Sequence, residues 1–262
     1  MNEAEVLFTE ILNCNRLALY LDKDRFLNND QVSFISGVLK RRIQGEPIQH
    51  ILGKTEFMGL EFKITPDVFI PRSETEILVE RAIKIGYRLR VIGYRLKVLD
   101  IGTGCGNIAI SMAKILPYCK MDAIDISDTA LGVALLNAKL NNVKINFIQS
   151  DLLDTYNLQP NTYDLIISNP PYIPSAEIDM LEPEIKYEPR IALDGGKEGL
   201  DFYLRIINDA PHYLKRGGFL VMEMGFNQKE AIKGIFQKSP FFEIIEIIKD
   251  YNNIDRIIVA QN

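Results

Sequence analysis

Lys97-Val98-Leu99-Asp100-Ile101 runs straight into Gly102-Thr103-Gly104-Cys105-Gly106, and Asn107 to Ile115 then carries apolar residues at helical spacing. The order reads as strand, glycine turn, helix. A short apolar run of this kind suits a strand buried on both faces of a parallel sheet. The glycines accept positive φ and let a ligand approach the backbone, while the helix start aims free N–H groups at it. The dinucleotide fingerprint is Gly-x-Gly-x-x-Gly; here the third glycine comes one residue early. A nucleotide site also calls for an acid on the ribose hydroxyls about 20 residues further on. Asp125 stands there, closing the strand-like run Met121-Asp122-Ala123-Ile124. A third strand, Lys144 to Gln149, leads to Ser150-Asp151-Leu152, where an adenine edge could be bordered. The pattern predicts an α/β, Rossmann-like fold.

Further on, Tyr163-Asp164-Leu165-Ile166-Ile167-Ser168 is another buried-strand run, and Asn169-Pro170-Pro171-Tyr172 follows it. In open α/β sheets ligands bind beyond the carboxyl ends of the strands. These four residues suit a planar nitrogen. An amide or aromatic amine is a poor nucleophile, so a catalyst must hold both of its hydrogens. Asn169 can accept one through its side-chain oxygen. The Pro170 carbonyl can accept the other, its direction set by two consecutive proline rings. Tyr172 offers a flat face. An Asn-Pro turn would explain the same residues without function; the shared position with the glycine turn and Asp125, at successive strand ends, favours a ligand site.

Taken together, Asp100 to Gly106, Asp125 and Asn169 to Tyr172 resemble the S-adenosylmethionine-dependent methyltransferases of the seven-stranded class. Pro47-Ile48-Gln49-His50-Ile51-Leu52-Gly53, Glu56-Phe57-Met58-Gly59-Leu60-Glu61-Phe62, Phe69-Ile70-Pro71-Arg72-Ser73-Glu74-Thr75-Glu76 and Glu188-Pro189-Arg190-Ile191-Ala192-Leu193-Asp194-Gly195-Gly196 narrow the resemblance to the HemK/PrmC family. Ser73 departs from it, where the family more often has a second proline. The resemblance implies methylation of a glutamine side-chain amide (N5), in the Gly-Gly-Gln motif of class I peptide chain release factors. It implies S-adenosylmethionine held by Asp100, Gly102, Thr103, Gly104, Cys105, Gly106, Asp125, Asp151, Leu152 and Asn169, with Asn169, Pro170, Pro171 and Tyr172 as catalytic and substrate-binding residues. It also places Phe69 to Arg72 near the cofactor.

Composition agrees with such an enzyme. The chain has 262 residues, 47% of them hydrophobic, enough for a sizeable core. Its net charge of −5 argues against duplex nucleic acid as the main partner. Cys14, Cys105 and Cys119 show no paired spacing, and two histidines make a histidine-built metal site improbable. With no signal-like N-terminus and no apolar run near the ~20 residues that cross a bilayer, a cytoplasmic protein is expected, without membrane or direct nucleic-acid partner, and monomeric.

Three parts are expected: a helical substrate-docking module over 1–52, a hairpin connector over 53–72 and the methyltransferase domain over 73–262. Ala4, Leu7, Phe8, Ile11 and Leu12, then Val32, Ile35, Ser36 and Leu39, repeat at helical spacing. Ile51 to Ile64 alternates as strand and turns at Met58-Gly59. Ser73 and Glu76 have the spacing of a capping box. Ile85-Gly86-Tyr87-Arg88-Leu89 recurs as Ile92-Gly93-Tyr94-Arg95-Leu96, which reads as a duplication in a tolerant connector. Glu177 to Ile185 reads as a helical piece in a long connection where Glu188, Arg190 and Asp194 pair with each other or line a lid. Strands near Phe242 to Ile248 and Ile254 to Ala260 form an antiparallel closing pair. Three rival functions share the motif: adenine N6-methylation of nucleic acid, glutamine methylation of a ribosomal protein, and non-catalytic cofactor binding. Release-factor glutamine methylation stands first.

Overall fold

The computed structural model describes residues 2–21, 26–89, 95–155 and 157–262. Four helices come first: α1 (Glu3–Leu12), α2 (Arg16–Leu21), α3 (Asn29–Ile43) and α4 (Ile48–Leu52). Asn2 and Asn28 cap α1 and α3 through full capping boxes, with Glu5 and Gln31 reaching back to the cap N–H groups. The α3 face expected from spacing is turned partly outward: Val32 and Leu39 are exposed and Val38 is the buried residue. Leu7, Val38 and Ile48 close a small core, with Ile11, Ile51 and Leu52 against it.

The hairpin follows as β1 (Lys54–Phe57) and β2 (Leu60–Lys63). Ile51 and Leu52, expected in its first strand, end α4 instead, because Gly53 takes φ 70° and stops the helix there. Met58 and Gly59 both take positive φ, which a two-residue hairpin turn requires. Phe57, Phe62 and Ile64 join the main core.

The rest is α5 (Ser73–Arg88), β3 (Lys97–Ile101), α6 (Asn107–Ile115), β4 (Lys120–Asp125), α7 (Asp128–Leu140), β5 (Asn146–Gln149), β6 (Tyr163–Ser168), α8 (Asp201–Tyr213), β7 (Leu214–Glu223), α9 (Lys229–Lys238), β8 (Glu243–Lys249) and β9 (Asp255–Gln261). The seven strands from β3 onward form one sheet in the order β5-β4-β3-β6-β7-β9-β8. All neighbours are parallel except β9, which runs antiparallel to both β7 and β8. Adjacent residues of a strand face opposite sides. Thus Val98 joins the core that includes Leu78, Val79 and Ile110, while Leu99 joins the one that includes Tyr203, Ile206 and Phe236. A seven-stranded, Rossmann-like sheet with helices on both faces is the architecture expected of the sequence.

Three local expectations are corrected. Ser73 and Glu76 make no capping box: Arg72 is the N-cap residue, and the Glu76 carboxylate instead accepts the Met58 N–H at 2.6 Å. The hairpin turn would otherwise leave that donor without a partner. Glu177 to Ile185 is no helix but separate 3₁₀ turns, Ile178–Met180 and Ile185–Tyr187. Pro183 lies between them and disfavours helical geometry at Glu182. The first Ile-Gly-Tyr-Arg-Leu copy is no connector: it forms the last turn of α5 and its C-cap, where a Cβ on Gly86 would meet Leu116 at 2.6 Å. Ile92, Gly93 and Tyr94 of the second copy lie outside the described residues. Among the described residues, no helix is long and apolar enough to cross a membrane.

Candidate active site

β3 and β6 are neighbours, with Ile101 opposite Ser168, so the glycine turn and the Asn-Pro-Pro-Tyr segment leave the sheet side by side. The Ser168 hydroxyl also donates to the Ile101 carbonyl at 2.9 Å. From β3 the chain builds outward to β4 and β5, then returns to β6 on the other side. Such a reversal opens a crevice beyond the strand ends. A cavity of about 300 Å³ occupies it.

Gly104 (φ 54°) shapes the near wall. An added Cβ there would meet nothing within 4 Å, so the backbone faces open space at van der Waals range. Gly106 serves packing: its Cβ would come within 3.2 Å of Ala134 on α7. Asp100 lies beneath the turn, fully buried, and accepts the Thr103 hydroxyl at 2.7 Å. Burial pushes its carboxyl up to about 7 against that bond. Burial likewise pushes the Cys105 thiol up to about 12, so it stays protonated.

Asp125 closes β4 with both oxygens engaged. One accepts the Gly104 N–H at 2.8 Å and the other the Ser127 N–H at 2.9 Å. The first of these bonds ties the acid to the glycine turn itself. Each carboxylate oxygen keeps further acceptor capacity toward the cavity. Burial raises its pKa, opposed by those N–H groups. Past β5, Asp151 pairs with Arg205 of α8 at 3.0 Å, and Leu152 takes φ 51°. A branched side chain in the left-handed region is strained. The Ser150 hydroxyl holds this turn by donating to the Leu152 carbonyl at 2.7 Å.

Asn169 stands at the end of β6. Its Nδ2 donates to Thr75 Oγ1 at 3.2 Å, and Thr75 donates to the Glu223 carboxylate at 2.7 Å. Pro170, Pro171 and Tyr172 line the cavity after it. Burial pushes the Tyr172 hydroxyl up to about 12. The Gln228 side chain donates to the carbonyls of Tyr172 (2.8 Å) and Gly199 (3.1 Å) and accepts the Gly225 N–H at 3.0 Å, clamping three loops behind the segment. Gly195 sits against it too, since a Cβ there would lie 2.8 Å from the Pro171 carbonyl oxygen.

Of the residues assigned to the cofactor or the acceptor, all but Asp100 and Gly106 line this one cavity. Asp100 and Gly106 lie behind its wall. Phe69 lines it, with the Arg72 guanidinium 4.8 Å over its ring. Glu188 does not join Arg190 and Asp194: its buried carboxylate accepts the Ile70 N–H at 2.8 Å and pairs with Arg72. Arg190 pairs with Asp194 at 3.3 Å. His212 lies exposed, its ring against Tyr213. Sequence reading missed Thr75, Phe202, Gln228 and Glu223. Thr75 lay within a quoted motif but was absorbed by the supposed cap; the others reach the site only through the fold.

Residues 1–53 match the PrmC N-terminal domain family and residues 81–182 the methyltransferase small domain family. The chain is 41% identical to a release factor glutamine methyltransferase of Geobacter sulfurreducens, over 98% of this chain and 87% of that protein. This chain belongs to the release factor glutamine methyltransferase family. A second relative of the same name, from Thermodesulfovibrio yellowstonii, is 36% identical over 100% of this chain and 92% of its own length. Among solved structures, a methyltransferase from Pyrococcus furiosus superposes with a TM-score of 0.56 at 21% identity, over 86% of this chain and 98% of that one. That likeness bears on the fold alone.

Proposed function

We propose that this chain transfers a methyl group from S-adenosylmethionine to the side-chain amide nitrogen (N5) of a glutamine in peptide chain release factors, as its relatives' names describe for them. The observation that carries the reading is the placement of Asn169 and Gly104 on neighbouring strand ends at the mouth of one cavity. The residues present fit the cofactor. Open space lies over the Gly104 backbone, Asp125 keeps acceptor capacity for ribose hydroxyls, and mostly apolar walls with Asp151 and Leu152 at one end suit an adenine. Bound there, S-adenosylmethionine supplies an electrophilic methyl group.

The chain's own residues do the rest. Asn169 Oδ1 and the Pro170 carbonyl accept the two amide hydrogens and favour the charge that develops on nitrogen. Tyr172 and the prolines orient the acceptor and exclude water, leaving positioning as the main source of rate. An N-alkylated amide cation is strongly acidic, so no dedicated base is needed. On this reading the helical module (1–52) docks the protein substrate, the hairpin (53–72) connects it, and residues 73–262 carry the chemistry.

The test is radiolabelled methyl transfer with purified class I release factors, ribosomal protein and RNA offered side by side, followed by mass spectrometry. Label on the glutamine of a Gly-Gly-Gln tripeptide is the expected result. Label on another residue, or on RNA adenine alone, overturns the reading. Asn169→Ala is expected to lower turnover on the order of 100-fold while cofactor affinity, measured by calorimetry, stays near normal.

A further inference from the structure

A carboxamide is two-sided: its oxygen accepts and its nitrogen donates, and the two ends have nearly the same shape. For Asn169 to accept a hydrogen from a substrate amide, its oxygen must face the cavity. The local backbone does not decide this. A chain of three buried side chains does. Glu223 closes β7 at 2% exposure and Thr75 lies in the first turn of α5 at 1%. Thr75 has one hydrogen, and the Glu223 carboxylate takes it at 2.7 Å. An ionised carboxylate can only accept. The Thr75 oxygen is then left as an acceptor, and it takes Asn169 Nδ2–H at 3.2 Å. The direction of every bond follows from the charge at the far end.

We propose, on the functional reading given above, that Thr75 and Glu223 are positioning residues for the transfer, holding the Asn169 carboxamide with its oxygen turned to the acceptor. Neither acts on the substrate amide itself; both act through Asn169.

Protonating Glu223 removes the constraint. A carboxylic acid can donate to Thr75, whose hydrogen then turns to Asn169 and rewards the opposite orientation. That orientation presents Nδ2–H to a substrate N–H, donor against donor. The groups around Glu223 hold it near the balance. Burial and Glu74 of α5 favour the neutral form, whereas the Thr75 bond, Arg256 of β9 and Arg72 ahead of α5 favour the charged one, leaving it at about 7. Tyr172, after β6, faces it as a neutral phenol, and Tyr203 of α8 donates to its backbone carbonyl at 2.8 Å. Turnover therefore rises with pH through about 7, along with the ionised fraction.

The experiment uses the full chain with S-adenosylmethionine and an intact release factor, in wild type, Thr75→Val, Thr75→Ser and Glu223→Gln. Thr75→Val keeps the shape and removes the hydroxyl. It is expected to lower kcat on the order of 10- to 100-fold, the cost of a misplaced reacting group, with KM and cofactor affinity little changed. Thr75→Ser restores most of the loss. Glu223→Gln lowers kcat and abolishes its dependence on pH near 7. A second readout needs no turnover: the Asn169 side-chain amide resonances of the free chain titrate near pH 7 in wild type and in neither Glu223→Gln nor Thr75→Val. Wild-type kcat in folded Thr75→Val, or a titration of the Asn169 resonances that survives Glu223→Gln, overturns the proposal. If Thr75→Val does not fold, Thr75→Ser, Glu223→Gln and the resonances decide it. Wild type that methylates no release factor sinks the functional reading instead, and the resonances still test the positioning.

Discussion

The sheet body and the helical module ahead of it are held together in different ways. In the body, both faces of the strands are sealed by apolar side chains, with Val98, Leu99, Leu165 and Ile166 wholly buried. In the module, among the described residues, the buried apolar set is Leu7, Val38 and Ile48, while Leu17, Leu21 and Ile43 stay exposed. Polar stitching replaces the missing core. Glu5 accepts Tyr20 and Arg16, Arg42 bridges Glu3 of α1 and Glu184 of the long connection, and Lys54 reaches Glu10. A region with so little buried apolar surface is expected to open at lower free energy than the body. The proposed site lies on the sheet body, where small misplacements would be costly.

Five substitutions probe that contrast. Leu99→Ala should cost the body about 2–5 kcal/mol and lower the global stability seen in urea. Leu7→Ala should cost ~2 kcal/mol locally, speeding amide exchange in α1 to α4 while the sheet amides remain protected. If Leu7→Ala speeds exchange in the sheet as much, the two regions are one cooperative unit.

The regions should also respond to pH in opposite senses. In the body, Asp100 and Glu223 are raised to about 7 by burial, above their unfolded values. The native state then holds protons that the unfolded chain has released. That stabilisation is complete below the unfolded pKa and is lost as pH rises through about 7. In the module, hydrogen bonds from Tyr20, Arg16 and Asn2 hold Glu5 down to about 2, so its contribution is lost as pH falls toward 2. Glu223→Gln should flatten the loss between the unfolded carboxylate range and about pH 7 by an amount on the order of 3 kcal/mol or less, read from urea melts across pH. A slope unchanged by that variant would place the ionisation elsewhere.

Asp125→Ala tests the body as a binding surface. It should weaken S-adenosylmethionine by roughly 1.5–3 kcal/mol, measured by calorimetry. The smallest effect belongs to the module. Gly37 sits inside α3, and a Cβ there meets nothing within 4 Å. Gly37→Ala should stabilise that helix by roughly 0.5–1 kcal/mol, visible as slower exchange in α3 and not in the sheet.

Sequence reading was strong where burial on both faces dictates an unbroken apolar run. Tyr163 to Ser168 and Asn107 to Ile115 occupy the spans their residues predict. It failed where a side chain has two possible partners. Ser73 and Glu76 had cap spacing, yet Glu76 answers the Met58 N–H in another element. Glu188 likewise leaves its own loop for Arg72 and Ile70. The glycine turn, Asp125 and Asn169 were legible as a candidate site because each sits at or just past the end of a strand. Thr75, Glu223 and Gln228 were not, since only the sheet order brings residues so far apart in the chain to the same place.

That order has a consequence for how the chain is made. β9 lies between β7 and β8 and bonds to both, although β8 is synthesised before it. While the chain emerges, β3 to β7 can assemble as they appear, but β8 has no berth until β9 slots in beside β7. Completion is an insertion, not an addition at a rim. A chain interrupted after Lys249 would therefore lose an interior strand and leave Phe219 to Glu223 with bare backbone donors and acceptors along one side. Such an edge recruits other unfinished chains. Translation errors late in this message would produce aggregates more readily than a slightly trimmed enzyme.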